Sequence, residues 1–289
     1  MDAQLFPGLG ASSSSMTELF RHLCSLVAEI DQPAWVASIR REIEGGQVKD
    51  EQAEQRLMHG VNLLCLRLWQ KRNINFEHVC GHSLGFYAAL VAAEVIDEES
   101  SFALVDNVMV LAKKITIPRP VLKTVTSVQP LAAESLAQSI GAEIICMNAP
   151  NQIVLHGMPA NFCRLEAILP SLGVCKVNTL ATTVPFHSSL LHPASQAIRD
   201  FFHASGIRFH SPKKTVWSHV DAKPLESCEE IIDTVATQIT KPVRWHSTIL
   251  EMKTQGVQRF AEATPNRILS RILRWIDPDI CLIPSIQTS

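Results

Sequence analysis

The pentapeptide Gly81-His82-Ser83-Leu84-Gly85 constrains this chain more than any other stretch. It follows an apolar-leaning segment, Phe76 to Cys80, and opens a segment with helical character, Phe86 to Ile96. A small residue between two glycines is more often a plain tight turn. At a strand-to-helix junction, however, such a serine is strained outward, with its hydroxyl exposed and the next backbone N–H free to bind an oxyanion. Ser83 is therefore the leading nucleophile candidate.

At 289 residues and 46% hydrophobic content, the chain has ample material for one large domain, or for a large domain with a smaller one inserted. A net charge of −2 gives no global attraction to nucleic acid or to an anionic membrane, so neither is an expected partner. The eight cysteines are scattered without C-x-x-C pairing, and several lie in apolar runs as small buried hydrophobes, which fits a reduced compartment. No basic-then-apolar leader is evident, and the longest apolar stretch, Ala88 to Ile96, is interrupted by Glu94 and too short to span a bilayer. A soluble, cytoplasmic protein is expected.

Phe6-Pro7-Gly8-Leu9-Gly10 reads as a tight loop after a first strand, and the serines at 12 to 15 can cap a helix beginning near Met16. From Glu51 to Lys71 the residues Leu57, Val61, Leu64 and Leu68 recur at helical spacing, giving a helix with one buried face. Beyond Pro118 and Pro120 the pattern changes. Val121–Ser127 reads as a strand, Ala132–Ile140 as a helix, Ala142–Met147 and Gln152–Leu155 as strands, Asn161–Leu169 as a helix and Val174–Leu180 as a strand. This βαββαβ order is the ferredoxin-like arrangement. It predicts a discontinuous large α/β domain, 1–117 and 188–289, interrupted by a small ferredoxin-like domain, 118–187.

A serine nucleophile needs a base. Of the eleven histidines, His187 in Val184-Pro185-Phe186-His187-Ser188 stands at the seam between the two predicted domains, where sites concentrate, with His82 and His246 as rivals.

Five segments in order carry a resemblance: Phe6-Pro7-Gly8-x-Gly10, Gly81-His82-Ser83-Leu84-Gly85, Asn148-Ala149-Pro150-x-Gln152-Ile153-Val154, Pro185-Phe186-His187-Ser188 and Pro242-Val243-Arg244-Trp245. Across nearly its whole length the chain resembles the malonyl-CoA:acyl-carrier-protein transacylase family of fatty acid and polyketide synthesis. The resemblance implies a large α/β-hydrolase-like domain with a ferredoxin-like insertion. It also implies a two-step transfer in which Ser83, activated by His187, takes an acyl group from a thioester and passes it to a second thiol. It implies an oxyanion hole of the Leu9 and Leu84 backbone N–H groups, and a His187 oriented by the Gln238 backbone carbonyl instead of a carboxylate.

The chain departs from that pattern where the substrate is chosen. Malonyl-specific members carry an arginine that pairs with the substrate carboxylate, and sliding the helix without gaps puts Val108 there. A buried carboxylate without a cation costs on the order of several kcal/mol. Lys113, Lys114 or Arg119 supplying the charge from another direction is the alternative; otherwise they are solvated. Leu9 replaces the usual glutamine of the first motif and Phe86 the glutamate that usually follows Gly85, and both make the pocket more apolar. Val108, Phe86, His82 and Asn148 are thus the candidate acyl-binding residues. A trans-acting acyltransferase of polyketide or fatty acid synthesis moving a neutral acyl group is expected. An acyl hydrolase that clears carrier proteins is the alternative, and a malonyl transferase or a non-catalytic scaffold stands behind these.

Arg267, Arg271 and Arg274 fall at helical spacing and make a basic stripe, opposed by Ile268, Leu269, Ile272 and Ile276. Acyl carrier proteins are acidic around their phosphopantetheine serine, so the stripe can dock one; a solvated helix face is the plain alternative. No histidine or cysteine spacing suits a metal and no phosphate loop occurs. No bound cofactor is therefore expected, the phosphopantetheine or CoA thiol arriving on the acyl thioester, and a monomer is expected.

Overall fold

The computed structural model describes all residues except 11, 28–31, 47, 49, 116–120, 128, 170–173, 181, 183 and 287–289. The expected positions Pro118, Arg119 and Pro120 lie outside the described residues. Among the described residues, ten strands form two sheets. The larger contains β1 (Asp2–Phe6), β2 (His78–Gly81), β7 (Thr215–Ser218), β8 (Lys223–Leu225), β9 (Arg259–Glu262) and β10 (Cys281–Leu282), in the order β10-β9-β1-β2-β7-β8. All neighbours run parallel except β8, which returns antiparallel on β7. Its central strands are buried almost throughout, because helices cover both faces of a parallel sheet.

The flanking helices are capped as their sequences dictate. Asp50 accepts from the Ala53 N–H at 2.9 Å to open helix Glu51–Lys71, with Glu51 and Glu54 in its first turn and Lys71 in its last, all favourable to the helix dipole. Ser12 opens helix Ser13–Leu26 and Asp97 opens helix Glu98–Lys113 in the same way.

The smaller sheet is antiparallel and contains β3 (Val121–Ser127), β4 (Glu143–Ala149), β5 (Gln152–Gly157) and β6 (Val174–Leu180), in the order β4-β5-β3-β6. With helices Ala133–Ile140 and Pro159–Ile168 between strands, this is the ferredoxin-like βαββαβ unit. Val125, Leu136, Ile140, Ile153, Phe162 and Leu165 form its separate core. The fold is thus a large α/β domain carrying a small ferredoxin-like one. A backbone ladder joins them: Val243 N–H donates to Ile145 O at 3.0 Å, and Met147 N–H to Val243 O at 2.8 Å.

Several boundaries differ from the periodicity, those of the small domain by one or two residues. The strand before the serine is His78–Gly81, and the helix after it is Gly85–Ala92 where the apolar run reached Ile96. Glu94 takes φ of 58°, which stops the helix although no glycine or proline marks the spot. No helix among the described residues is long and apolar enough to cross a membrane.

Candidate active site

Ser83 sits on the turn between β2 and helix Gly85–Ala92 at φ 54°, a left-handed conformation that is strained for a non-glycine residue. The two glycines make that turn possible. A Cβ on Gly81 would lie 2.1 Å from the Gly85 backbone, and one on Gly85 would lie 2.0 Å from Phe6 O at the end of β1. The elbow is locked to β1 by the His82 N–H, which donates to Phe6 O at 2.9 Å. Buried Asn62 donates to Pro7 O at 2.9 Å and holds the Pro7–Gly8 loop beside the serine.

His187 is brought to Ser83 from 104 residues away, with Nε2 2.7 Å from Oγ. Its Nδ1 faces two carbonyls, Gln238 O at 2.9 Å and Lys241 O at 3.2 Å. Carbonyls only accept, so Nδ1 carries the proton and Nε2 presents a lone pair to the serine hydroxyl. Burial pushes His187 down to about 4, against the raising effect of the Gln238 carbonyl, so the ring is neutral near pH 7. It too is at positive φ, 68°, held by its own N–H donating to Ile239 O at 2.7 Å.

The turn after His187 is tied to the small domain. Ser188 Oγ donates to Glu143 Oε2 at 2.5 Å and Ser189 N–H to Oε1 at 2.8 Å. Burial of Glu143 is outweighed by hydrogen bonds from His156, Ser188 and Ser189, which bring its carboxyl to about 2.

His82, a rival for the base, points elsewhere. Its Nε2 meets Asn148 Oδ1 at 2.9 Å, Asn148 Nδ2 donates to Gln152 Oε1 at 3.0 Å, and the ring packs edge-on against Trp245 at 5.1 Å. The Cys146 thiol also donates to Asn148 Oδ1, at 2.8 Å. His246 does not line the cavity described next. The Leu9 and Leu84 amides flank the serine loop, and neither N–H donates to another described residue.

Ser83 and His187 open on a cavity of about 460 Å³ between the two domains. Leu122, Ile145, Val154 and Leu180 from the small domain face Leu9, Val184, Ile268, Leu269 and Ile272 across it, and Val108, His82 and Asn148 also line it. No lysine or arginine lines it among the described residues, Lys113 and Lys114 included; its charged residues besides histidine are Glu51 and Glu54. Phe86, expected against the acyl group, is not in the lining. It is fully buried beneath the elbow with its ring 5.2 Å from that of His219. Helix Gly85–Ala92 is apolar on every side, so periodicity carried no sign of which way Phe86 faces.

Helix Ile268–Ile276 lays Ile268, Leu269 and Ile272 into the cavity and exposes Arg267, Arg271 and Arg274 on its other side. Its N-terminus is capped by buried Glu262, which accepts from the Ile268 and Ser270 N–H groups at 2.8 Å each. Arg267 is the N-cap residue itself, at φ 54°, so the basic stripe begins one residue before the helix.

Several residues in and behind the site carried no sequence signal: Asn62, Glu143, Cys146, Gln55 and His219. His219 is fully buried with its ring 6.0 Å from that of His187. Only its neighbourhood in space marks it, and no local pattern announces that.

No family model matches the chain. Curated relatives do. It is 28% identical over 295 residues to the polyketide biosynthesis malonyl CoA-acyl carrier protein transacylase PksC of Bacillus subtilis, covering 98% of this chain and 100% of that one. It is 28% identical over 290 residues to BaeC of Bacillus velezensis, of the same description, covering 96% of each. The malonyl CoA-acyl carrier protein transacylase of Haemophilus influenzae is 27% identical over 221 residues, 74% of this chain and 70% of the relative. Among solved structures, an acyl-carrier-protein S-malonyltransferase of Burkholderia pseudomallei superposes with a TM-score of 0.82 at 24% identity, covering 99% of this chain and 95% of the other. A type II polyketide malonyl-transacylase in complex with its acyl-carrier protein gives 0.81 at 22% identity, covering 99% and 95%. These likenesses establish the shared fold.

Proposed function

We propose that this chain is a member of the malonyl-CoA:acyl-carrier-protein transacylase family, an acyltransferase of polyketide or fatty acid synthesis that moves a neutral acyl group onto or off an acyl carrier protein through an acyl-Ser83 intermediate. The observation that carries this is the 2.7 Å contact between Ser83 Oγ and His187 Nε2 at the mouth of a cavity with no lining cation among the described residues.

In the first half-reaction His187 Nε2 takes the serine proton as Oγ attacks the thioester carbonyl. The charge that develops on the carbonyl oxygen is met by the Leu9 and Leu84 N–H groups. Collapse of the tetrahedral adduct breaks the C–S bond, and the imidazolium returns its proton to the departing thiolate. The imidazolium is stabilised through Nδ1–H by the Gln238 and Lys241 carbonyls. In the second half-reaction the same nitrogen deprotonates the incoming thiol, whose sulfur attacks the acyl-serine ester; collapse breaks the C–Oγ bond, and the imidazolium returns its proton to Ser83 Oγ. The phosphopantetheine or CoA thiol comes with the substrate.

The relatives are named for malonyl transfer; the neutral-acyl reading for this chain is supported by what lines its own cavity. Buried Val108 lines the cavity, and no lysine or arginine joins it among the described residues. A carboxylate there would lose its hydration with no opposite charge in return, beside two glutamates. The exposed arginines of helix Ile268–Ile276, on the reverse of a cavity wall, suit the acidic face of a carrier protein.

The test is intact-protein mass spectrometry after mixing with hexanoyl-, acetyl- and malonyl-CoA, followed by a chase with holo carrier protein. A neutral acyl adduct on Ser83 that moves to the carrier is the expected result. An adduct released to water at the same rate with or without the carrier would replace transfer by hydrolysis, and efficient malonyl loading would overturn the neutral-acyl assignment.

A further inference from the structure

Behind the dyad lies a second buried imidazole that the reaction above does not use. His219 is fully buried and does not line the cavity, so it stands behind the reacting groups and not among them. Its ring meets two others: that of Phe86 on the underside of the serine elbow, at 5.2 Å, and that of His187, edge-on at 6.0 Å. Its main chain is fixed by the Arg244 N–H, which donates to His219 O at 2.8 Å. Both ring nitrogens, however, are buried without a hydrogen-bond partner among the described residues. Burial, with His187 and His82 nearby, holds the ring well below its ordinary value, so it is neutral, with one donor and one acceptor nitrogen.

Gln238 presents the complementary group. Its side chain adjoins both His219 and Tyr87, and its Nε2 is likewise buried without a partner among the described residues. An amide N–H and an imidazole lone pair match one another, and native interiors seldom leave such groups unmatched. Through its main chain the same residue orients the base. Its carbonyl receives His187 Nδ1–H at 2.9 Å and also the Lys241 N–H at 3.3 Å, on the short 3-10 turn Gln238–Thr240. From this juxtaposition we infer that His219 is a positioning residue for acyl transfer: it takes the Gln238 amide N–H and walls the His187 ring, so that the Gln238 carbonyl stays on Nδ1–H through the reaction. The inference rests on the acyl-Ser83 reading above and deepens it.

The role is needed because His187 changes charge twice in each half-reaction. As imidazolium it draws on the carbonyls that hold Nδ1–H, and a carbonyl shared with the Lys241 N–H at a turn can tilt towards either donor. Anchoring the Gln238 side chain fixes the residue that carries that carbonyl, which is the preorganisation an orienting group must have. The ring contacts supply the rest. Phe86, His219 and His187 link the floor of the elbow to the flank of the base, so the separation of Oγ from Nε2 is set by packed side chains.

The experiment measures kcat and KM for Ser83 acylation by the hexanoyl N-acetylcysteamine thioester in the native chain, in His219→Phe, His219→Gln and Gln238→Met, and in the double variant of His219→Phe with Gln238→Met. His219→Phe keeps an aromatic ring and loses the nitrogen acceptor. Its kcat is expected to fall about tenfold, the size of one buried hydrogen bond, with KM unchanged within about twofold. His219→Gln, which keeps an acceptor, should regain most of the loss. Gln238→Met, which keeps the main-chain carbonyl, should match His219→Phe, and the double variant should be no slower than either. Nitrogen NMR of isotope-labelled histidine, with the His187 signal assigned through His187→Gln, should show the Nδ1–H tautomer in the native protein and a mixture in His219→Phe. A native kcat in folded His219→Phe, a change confined to KM, losses that add in the double variant, or a slower enzyme whose His187 tautomer is unchanged would each overturn the inference while leaving the acyl-enzyme standing. Failure of every thioester to label Ser83 in the native protein would remove the acyl-enzyme reading and this one with it. Where no variant at His219 folds, Gln238→Met decides, and a native kcat there overturns the inference.

Discussion

The serine elbow and the cavity it opens into are built by opposite means. At the elbow almost everything is done by backbone. Two residues are held at positive φ, two glycines let strands and helix touch, and His187 is oriented by carbonyl oxygens. In the cavity the wall is made largely of side chains, Val108 and Gln55 among them. On the proposed reading, the frame that holds Ser83 and His187 depends on main-chain geometry, whereas the choice of substrate rests with the side chains of the wall.

The largest effect should come from breaking the elbow's side of this contrast. Ser83→Ala is expected to abolish adduct formation and lower thioester turnover about a thousandfold or more, with His187→Ala close to it. Single-turnover labelling followed by mass spectrometry measures both. Acid should separate two roles of the same histidine. His187 must be neutral to act, so its own titration removes activity only as pH falls through about 4. The unfolded chain protonates this ring near its ordinary 6.5. Between those values the unfolded state binds more protons than the native one, so stability declines as pH drops from 6.5 towards 4. Loss of activity near pH 5 should thus coincide with a falling melting temperature. A kinetic pKa near 6.5 with the fold intact would contradict the buried, neutral ring.

On the cavity's side, Val108→Arg is expected to shift selectivity towards malonyl over hexanoyl thioester by about 10- to 100-fold, because a guanidinium can pair with a carboxylate in two-point fashion. Forcing a longer side chain into a buried position should cost roughly 1–3 kcal/mol of stability, read as a lowered melting temperature. No gain for malonyl in a folded variant would mean that Glu51 and Glu54, or another part of the wall, governs exclusion more than Val108 does.

The same contrast explains what could be read from the residues alone. The elbow announces itself, because Gly81 and Gly85 are required by approaches of about 2 Å that only glycine permits. The helix Glu51–Lys71 and the six elements of the small domain follow from periodicity, which works where one face is buried and the other is not. What stayed hidden is relational. Gln238 acts on His187 through its main chain, which has no side-chain signature, so only the family resemblance pointed to it. Glu51, Glu54 and Gln55 read as the polar first turns of an amphipathic helix, and nothing local tells that this end of the helix walls a cavity instead of meeting solvent. Phe86 turns away from the cavity without a sequence sign, for the related reason that an all-apolar helix has no readable face.

Glu143 joins the two regions and should give an intermediate effect. Its carboxylate sits on the small domain's edge strand yet holds the two residues after His187, whose backbone is strained. Glu143→Gln keeps the shape but removes the charge from two charge-assisted hydrogen bonds. The expected outcome is about a tenfold fall in kcat with KM for the thioester little changed. A change in KM alone would mean that Glu143 shapes the cavity and does not steady the histidine.

The smallest effect belongs to the outer surface. Arg271 is exposed, and its Nε is spent on the Arg267 carbonyl at 3.0 Å, which leaves the rest of the guanidinium facing solvent. If the stripe docks a carrier protein, Arg271→Glu should raise KM for the carrier about three- to tenfold at low salt, since steering between exposed charges is modest and screened. The difference from the native protein should shrink as ionic strength approaches about 0.5 M, where the screening length falls to a few ångströms. Acylation from an N-acetylcysteamine thioester, which brings no carrier, is the control that separates docking from damage to the cavity wall behind it. Equal KM values at every salt concentration would make this face an ordinary solvated one and would confine recognition to the cavity, sharpening the division between a backbone-built reaction centre and a side-chain-built choice of substrate.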